Sequence, residues 1–387
     1  MNIEKYLDEK EILSWRRWFH ENAEMSFKEY NTSAYIEEEL KKIGGIEILK
    51  PTPTSVIGVI KGNDKGKTVA LRADIDALPI EEESDVEFKS KNKGVMHACG
   101  HDTHAAMLLG AAKILANNRE SLKGSVKLIF QHAEESPPGG AVEIVNSHMV
   151  DDVDEFYGLH IMPGMSVGYI LSNEGPIMAS SDTVTIKIQG KGAHGSMPEK
   201  SIDPIMIGSM IVINVNQIIS RNVNAFEKAV ISCGVFNSGT AENIIPDTAN
   251  LKFTVRNLSE ETRELIEVRF KEIVDGICKA NGATYEFEYM KGYDVNINSK
   301  ECVDKIKKAA EKVVGKENYM DVPQQMGSED FSFYRRIAPS GYFILSGGSA
   351  EEGYEYVNHH PKFKIDEKAF VYGVKMHVEL ALLGLED

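Results

Sequence analysis

The chain has 387 residues, enough at roughly 150 residues per domain for two domains or a little more and for an ample core. With 43 basic against 59 acidic residues its formal net charge is -16, so there is no basic excess to neutralise phosphates and nucleic acid is excluded as a partner class. Its four cysteines, Cys99, Cys233, Cys278 and Cys302, lie far apart, which suits reduced thiols rather than a disulfide framework.

The opening stretch Met1-Asn2-Ile3-Glu4-Lys5-Tyr6-Leu7 lacks the basic-then-apolar layout of an export signal, so a cytoplasmic location is expected. Residues 9–25 place Ile12, Leu13, Trp15, Trp18 and Phe19 among charges and read as an amphipathic helix. A second helix is expected from Thr32, with Glu37/Lys41 and Glu38/Lys42 as i, i+4 pairs and Gly44 as its stop. Short runs rich in β-branched residues follow at 56–60, 68–75, 126–130 and 156–161. They are apolar on both faces and separated by helical segments, which predicts a mostly parallel sheet covered on both sides. In such sheets ligands bind at the carboxyl ends of the strands.

The pattern changes near Asp182. Val184, Ile186 and Ile188 alternate, Asp203-Pro204 opens an apolar helix to about Ser220, and strands follow at 229–236 and 249–255. A helix at 259–280 and the alternating Tyr285, Phe287 and Tyr289 complete a strand, helix, strand, strand, helix, strand order, which predicts an inserted ferredoxin-like domain at 182–291. Residues 1–181 and 292–387 are then the two parts of one larger α/β domain, the second adding a helix at 299–314, a strand at 342–345 and a closing helix at 366–383. The most apolar stretch, 204–215, is too short and interrupted to span a bilayer, and no membrane partner is expected.

The densest chemistry is His97-Ala98-Cys99-Gly100-His101-Asp102-Thr103-His104, one thiol, three imidazoles and a carboxylate at the mouth of an apolar helix. One such residue would cap a helix or fill a core; together they indicate a metal site. Candidate ligands from strand ends are Cys99, His101, Glu135, His160 and one of His359 and His360. Five ligands are too many for one tetrahedral ion and suit two divalent ions sharing a bridge, for which a Cys99 thiolate could serve. The donor set accepts Zn2+ or Mn2+, and Co2+ or Ni2+ as well.

Glu134 and Glu135 are adjacent just after a strand, so one carboxylate can bind metal while the other faces water, or both can form a solvated patch. Asp74 and Asp76 flank Ile75; one of them can fix a ligand histidine, or pair with Arg72. His104 lies one turn past His101 and is a ligand by spacing or a helix cap, while His20, His132 and His148 read as structural. The glycine-rich loop around His194, the stretch containing Asn243, and Arg256 at a strand end are each weak signals alone.

Taken together, Arg72-Ala73-Asp74-Ile75-Asp76-Ala77-Leu78-Pro79, His97-Ala98-Cys99-Gly100-His101-Asp102, Glu134-Glu135, His160, Ala193-His194, Gly327-Ser328-Glu329-Asp330-Phe331 and His359-His360-Pro361 resemble the M20 metallopeptidase family. Within that family the motifs resemble the branch of hippurate hydrolase, auxin-conjugate hydrolases and N-acetyl-diaminopimelate deacetylase, and the resemblance runs nearly the whole chain. The resemblance implies a metal-dependent catalytic domain interrupted by a lid that also dimerises, giving a homodimer or higher homo-oligomer. It implies that Cys99, His101, Glu135, His160 and His359 hold two divalent ions, His359 being the histidine two places before proline, and that Glu134 is the general base. Asp76 is the supporting acid by register on Pro79, with Asp74 the alternative; His194 stabilises the oxyanion, often in the partner's site; Asn243 and Arg256 hold the substrate carboxylate.

The activity so implied is amidohydrolase cleavage of N-acyl (acetyl- or aroyl-) amino acids by a metal-activated water, the alternative being a dipeptidase or aminopeptidase of the same fold. A thiol hydrolase using Cys99 and His101 would leave Glu134, Glu135, His160 and His359 without roles. A non-catalytic binding protein would not need the intact ligand set.

Overall fold

The computed structural model describes residues 3–386, so Met1, Asn2 and Asp387, the outermost positions of the expected larger domain, lie outside it. Contacts divide the chain into two compact units: Met1–Ile177, Ile297–Pro323 and Asp330–Asp387 form the first, and Met178–Asn296 with Gln324–Glu329 the second.

In chain order the elements begin with α1 (Glu9–Glu21), α2 (Tyr30–Ile43), β1 (Glu47–Leu49), β2 (Val56–Lys61), β3 (Asp64–Asp74), α3 (His101–Asn117) and β4 (Lys123–Gln131). Next come α4 (Gly140–Asn146), β5 (Glu155–Met162) and β6 (Ile170–Leu171), and then the second unit's β7 (Asp182–Gln189), α5 (Pro204–Gln217), β8 (Ala229–Ser238), β9 (Thr248–Asn257), α6 (Glu260–Ala280) and β10 (Thr284–Lys291). The chain re-enters the first unit with α7 (Lys300–Val313), β11 (Tyr319–Met320), β12 (Ser340–Ser346) and α8 (Phe370–Leu385).

The first unit's sheet has the order β1-β2-β4-β3-β5-β12-β6-β11. Its centre is parallel, β3 lying between β4 and β5, and β12 beside β5 with Ile344 opposite His160. β2 departs from the expectation of a parallel strand: although almost wholly buried, it runs antiparallel to β4. Burial on both faces reports the cover of helices, not strand direction. Between Lys61 and Asp64 there are only two residues, far fewer than a parallel crossover needs.

Helix α3 has no polar face, and its residues from His101 to Ala112 are all buried, which makes it the central helix of the unit. It packs against α1 and α8. Asp102, next to the helix start, turns away from the strand ends: it accepts from His20 Nδ1 at 2.7 Å and meets Arg16 Nε at 3.0 Å. His20 Nε2 contacts Glu82 at 3.1 Å.

The second unit is an antiparallel sheet of order β8-β9-β7-β10, the split βαβ arrangement expected for a ferredoxin-like insertion. Alternation puts Val184, Ile186 and Ile188 of β7 and Leu251, Phe253 and Val255 of β9 into a core with Ile207 and Ile211 of α5 and Phe270 and Val274 of α6. Asp203 caps α5 by accepting from Ile205 N–H, with Pro204 at the first turn. Segment 324–329 joins this unit through backbone contacts of Gln325 and Gly327 with Met178 and Ala179.

Burial disfavours the Glu82 charge, but hydrogen bonds from His20, Ser84 and Ser90 N–H outweigh it and bring the carboxyl down from 4.5 to about 2. A carboxylate depressed on folding adds stability above its unfolded pKa and loses it as pH falls toward the folded value. Melting temperature measured from pH 5 to pH 2.5 should therefore fall more steeply for the parent than for Glu82→Gln. Parallel curves would show that this pair carries no acid sensitivity.

Candidate metal centre

β3, β4 and β5 run in the same direction, so their carboxyl ends deliver Asp74, the 131–135 turn and His160 to one edge of the sheet. Cys99 and His101 arrive on the loop entering α3. Gly100 between them has φ 90°, and a Cβ there would lie 2.8 Å from Ile161 Cγ2, so only glycine fits both the backbone and the space.

His101 and His160 each have one ring nitrogen held as a donor by an oxygen that can only accept. His101 Nδ1–H donates to the Asp76 carbonyl at 3.0 Å and to Asp76 Oδ1 at 3.1 Å, and His160 Nδ1–H donates to the Ile161 carbonyl at 2.8 Å. Both rings therefore turn Nε2 towards the strand-end space. His160 Nε2 lies 3.3 Å from Cys99 Sγ. His101 Nε2 is buried without a hydrogen-bond partner among the described residues.

Glu135 faces the same space, with Oε1 at 3.2 Å from His359 Nε2 and 4.0 Å from His101 Nε2. Its backbone N–H donates to Asp76 Oδ2 at 3.0 Å. Ligand-bearing atoms of Cys99, His101 and His160 lie within 4.8 Å of one another, as do those of Cys99, Glu135 and His359, and those of His101, Glu134 and Glu135. Cys99 thus belongs to two of these sets and His101 to two. Two non-glycine residues of the centre's loops have left-handed backbone, Ala133 at φ 50° and His359 at φ 69°. Each costs on the order of 1 kcal/mol, which the fixed surroundings sustain.

The donors suit divalent ions on electrostatic grounds as well. Burial pushes the Cys99 thiol well above its ordinary value, and the charges of Glu135, Glu134 and Asp74 push it further. A cation is the species that would convert it to a thiolate ligand. His101, despite burial, is raised to about 10 by Asp74, Asp76 and Glu135, which shows how strongly this space favours positive charge. His160, next to Cys99, is instead held well below its ordinary value by burial and by His104. Against the thiol-hydrolase reading with His101 as base stands the Cys99 thiol itself, which burial and the neighbouring carboxylates keep from becoming the thiolate nucleophile.

Other members of the dense motif go elsewhere. His104 donates Nδ1–H to Asp74 Oδ1 at 2.5 Å while Nε2 accepts from Ile161 N–H at 2.9 Å, so both nitrogens are taken. Asp74 also receives Arg72 at 2.6 Å, making it the partner of His104 and Arg72, whereas Asp76 is the partner of His101. His97 is buried nearer His20, with ring centroids 6.3 Å apart, and burial lowers it to about 4. His360 stacks on Tyr356 at 4.4 Å, leaving His359 as the histidine beside Glu135.

His20 and His132 are buried and hydrogen-bonded to Asp102 and Ser55, and exposed His148 pairs with Asp151. Sequence reasoning missed Asn358, whose Nδ2 donates to the Cys99 carbonyl at 3.0 Å. It also missed the buried Arg72–Asp330 pair at 2.8 Å with Gln131 between them. Neither has a spacing signal.

His194, Asn243 and Arg256 lie in the second unit. The two-residue strand Ala193–His194 pairs with Ile244–Ile245, and Gly195 N–H donates to the Asn243 carbonyl at 2.8 Å, so His194 and Asn243 are neighbours on exposed loops. Arg256 is half-buried near the other end of the sheet, where it bonds Thr254 Oγ1 at 2.6 Å. From Thr248, opposite Gln189, to Arg256 the strand advances eight residues, roughly 26 Å.

Residues 70–383 match Peptidase family M20/M25/M40. The chain is 43% identical over 383 residues to thermostable carboxypeptidase 2 of Saccharolobus solfataricus, spanning 97% of this chain and 96% of that one. It is 44% identical over 298 residues to an N-acyl-L-amino acid amidohydrolase of Geobacillus stearothermophilus, spanning 76% and 80%. Among solved structures, the YXEP protein of Bacillus subtilis, described as a dinuclear metal binding peptidase, is similar with a TM-score of 0.85 and 33% identity over 99% of both chains. Fold, donor cluster and relatives together define a metal-dependent hydrolase of amide bonds. The chain belongs to the M20 peptidase family.

Removing the group that orients a ligand histidine typically costs ten- to a hundredfold in metal affinity. Asp76→Ala should weaken metal binding by about that factor, read by competition with a chromophoric chelator. An unchanged affinity would show that Asp76 does not set the His101 ring.

Proposed function

We propose that the protein hydrolyses the amide bond of N-acyl amino acids, using two divalent ions held by Cys99, His101, Glu135, His160 and His359. The observation that carries this reading is the overlap of the donor sets, Cys99–His101–His160, Cys99–Glu135–His359 and His101–Glu134–Glu135, with both buried ligand rings presenting Nε2. When bound, the ions supply Lewis acidity to the amide carbonyl and lower the pKa of water. Glu134 takes a proton from the attacking water and delivers it to the departing nitrogen as the C–N bond breaks, leaving a carboxylate and a free amino acid. Asp76 keeps the His101 proton on Nδ1, and Asn358 ties the Cys99 carbonyl to the loop carrying His359.

Similarity to an N-acyl-amino acid amidohydrolase supports this substrate class, and similarity to a carboxypeptidase supports a second reading, release of a carboxyl-terminal residue from a peptide. The two substrates share an acylated nitrogen beside a free carboxylate, for which Asn243 and Arg256 are the proposed partners. On this reading residues 182–291 form a lid and dimerisation domain, and His194 stabilises the oxyanion. Because His194 and Asn243 stand at one end of the second unit's sheet and Arg256 near the other, they are read as serving different copies of the chain. A homodimer is supported by β8, an edge strand with Val230, Val235 and Phe236 exposed, and by exposed Ile205, Met206 and Ile213 on α5. A cytoplasmic location fits this chemistry and the unpaired cysteines.

Glu134→Gln should lower kcat by about a hundredfold or more for N-acetyl and N-benzoyl amino acids while two ions per chain are retained. Activity equal to the parent would remove Glu134 from the mechanism, and a chain that binds no metal would remove the reading altogether. Met206→Glu combined with Phe236→Asp should convert the dimer to a monomer by light scattering; an unchanged mass would place the interface elsewhere.

A further inference from the structure

Glu29 has no part in the metal chemistry described above, yet its side chain is completely buried. Its Oε1 accepts two backbone N–H groups, from Phe27 at 3.0 Å and from Ala133 at 2.9 Å. These two residues are both left-handed without being glycine, Phe27 at φ 64° and Ala133 at φ 50°. One carboxyl oxygen therefore ties together two strained turns that lie more than a hundred residues apart in the chain.

The second turn is the one that matters for the centre. Ala133 immediately precedes Glu134 and Glu135. Its N–H is claimed by Glu29 and its carbonyl accepts from Gly140 N–H at 3.1 Å, so both polar groups of the residue are fixed from outside. The same 26–29 turn braces the centre a second time: Ser26 Oγ donates at 2.6 Å to Asp76 Oδ2, the oxygen that also receives Glu135 N–H. The turn is itself anchored, since Ala77 N–H donates to the Glu24 carbonyl at 2.8 Å and the Phe27 ring packs on His132 with centroids 5.4 Å apart.

We propose that Glu29 is a positioning residue for hydrolysis: by holding the left-handed turn at Ala133 it aims Glu134 at the reacting atoms and Glu135 at the metals. The inference rests on the reading of Glu134 as general base and Glu135 as ligand. What Glu29 supplies is an acceptor oxygen in a fixed place, not a charge. Burial, with Asp76 nearby, pushes its carboxyl up to about 8, so a neutral carboxamide is a close replacement.

The test compares Glu29→Ala, Glu29→Gln and the double variant Glu29→Ala/Ala133→Gly with the parent, reading kcat, KM, metal affinity and melting temperature. Glu29→Ala should lower kcat by about ten- to a hundredfold, the scale of a misplaced catalytic group, with KM within about threefold. Metal affinity should fall by about tenfold, because Glu135 moves with the turn. Glu29→Gln should stay within about threefold of the parent, since the acceptor remains. Glycine at 133 adopts the left-handed backbone unaided, so the double variant should regain a substantial part of the lost kcat.

Should Glu29→Ala fail to fold, Glu29→Met fills the space without an acceptor and is compared with Glu29→Gln in its place. The proposal is overturned by parental kcat and metal affinity in folded Glu29→Ala, by a loss confined to melting temperature, or by Glu29→Gln as impaired as Glu29→Ala. A parent that binds no metal and turns over no substrate would instead refute the functional reading, whatever the variants do.

Discussion

The structure depends on how negative charge is kept out of water at the carboxyl ends of three parallel strands. Asp74, Asp76 and Asp330 are completely or almost completely buried, and Glu134 nearly so. A buried carboxylate persists only with cations and hydrogen-bond donors around it. Arg72, itself inaccessible, satisfies two of them, Asp74 and Asp330. Burial and the nearby carboxylates raise the Cys99 thiol, and the carboxylates raise His101 despite burial, so this space favours positive charge.

Around that excess, similar residues have been given different work by small differences in geometry. Asp74 and Asp76 are two positions apart, yet one closes a structural triad with Arg72 and His104 and the other orients His101. His101 and His104 share a helix turn, and the difference between them is the Ile161 N–H that occupies the second nitrogen of His104. A polypeptide amide thus decides which imidazole remains available.

The sheet could be read from the chain because strands covered on both faces leave long apolar runs, and the insertion because alternation in β7 and β9 exposes one face only. What sequence could not supply was direction for β2, since burial carries none. Within the dense 97–104 motif the residue types signalled metal chemistry, but proximity in sequence did not predict that His97 and Asp102 would lie towards His20, or that His104, packed beside His101, would have both nitrogens taken. Asn358 and Glu29 left no signal at all: each acts on a backbone group of a distant segment, and such bonds have no residue spacing. The 324–329 segment was equally illegible as part of the second unit, because its membership rests on backbone contacts with Met178 and Ala179.

The interruption of the first unit by the second also sets an order of events in synthesis. Residues Met178–Asn296 are continuous and carry their own hydrophobic core. The first unit is not continuous: β12 inserts between β5 and β6, and His359 approaches Glu135 only from the segment made last. During translation, then, the insertion is free to fold while the first unit's sheet still lacks β12 beside β5. Cys99, His101, Glu135 and His160 precede the insertion in the chain, whereas β12 and His359 follow it, so their edge of the sheet is brought together only across the whole length of the second unit.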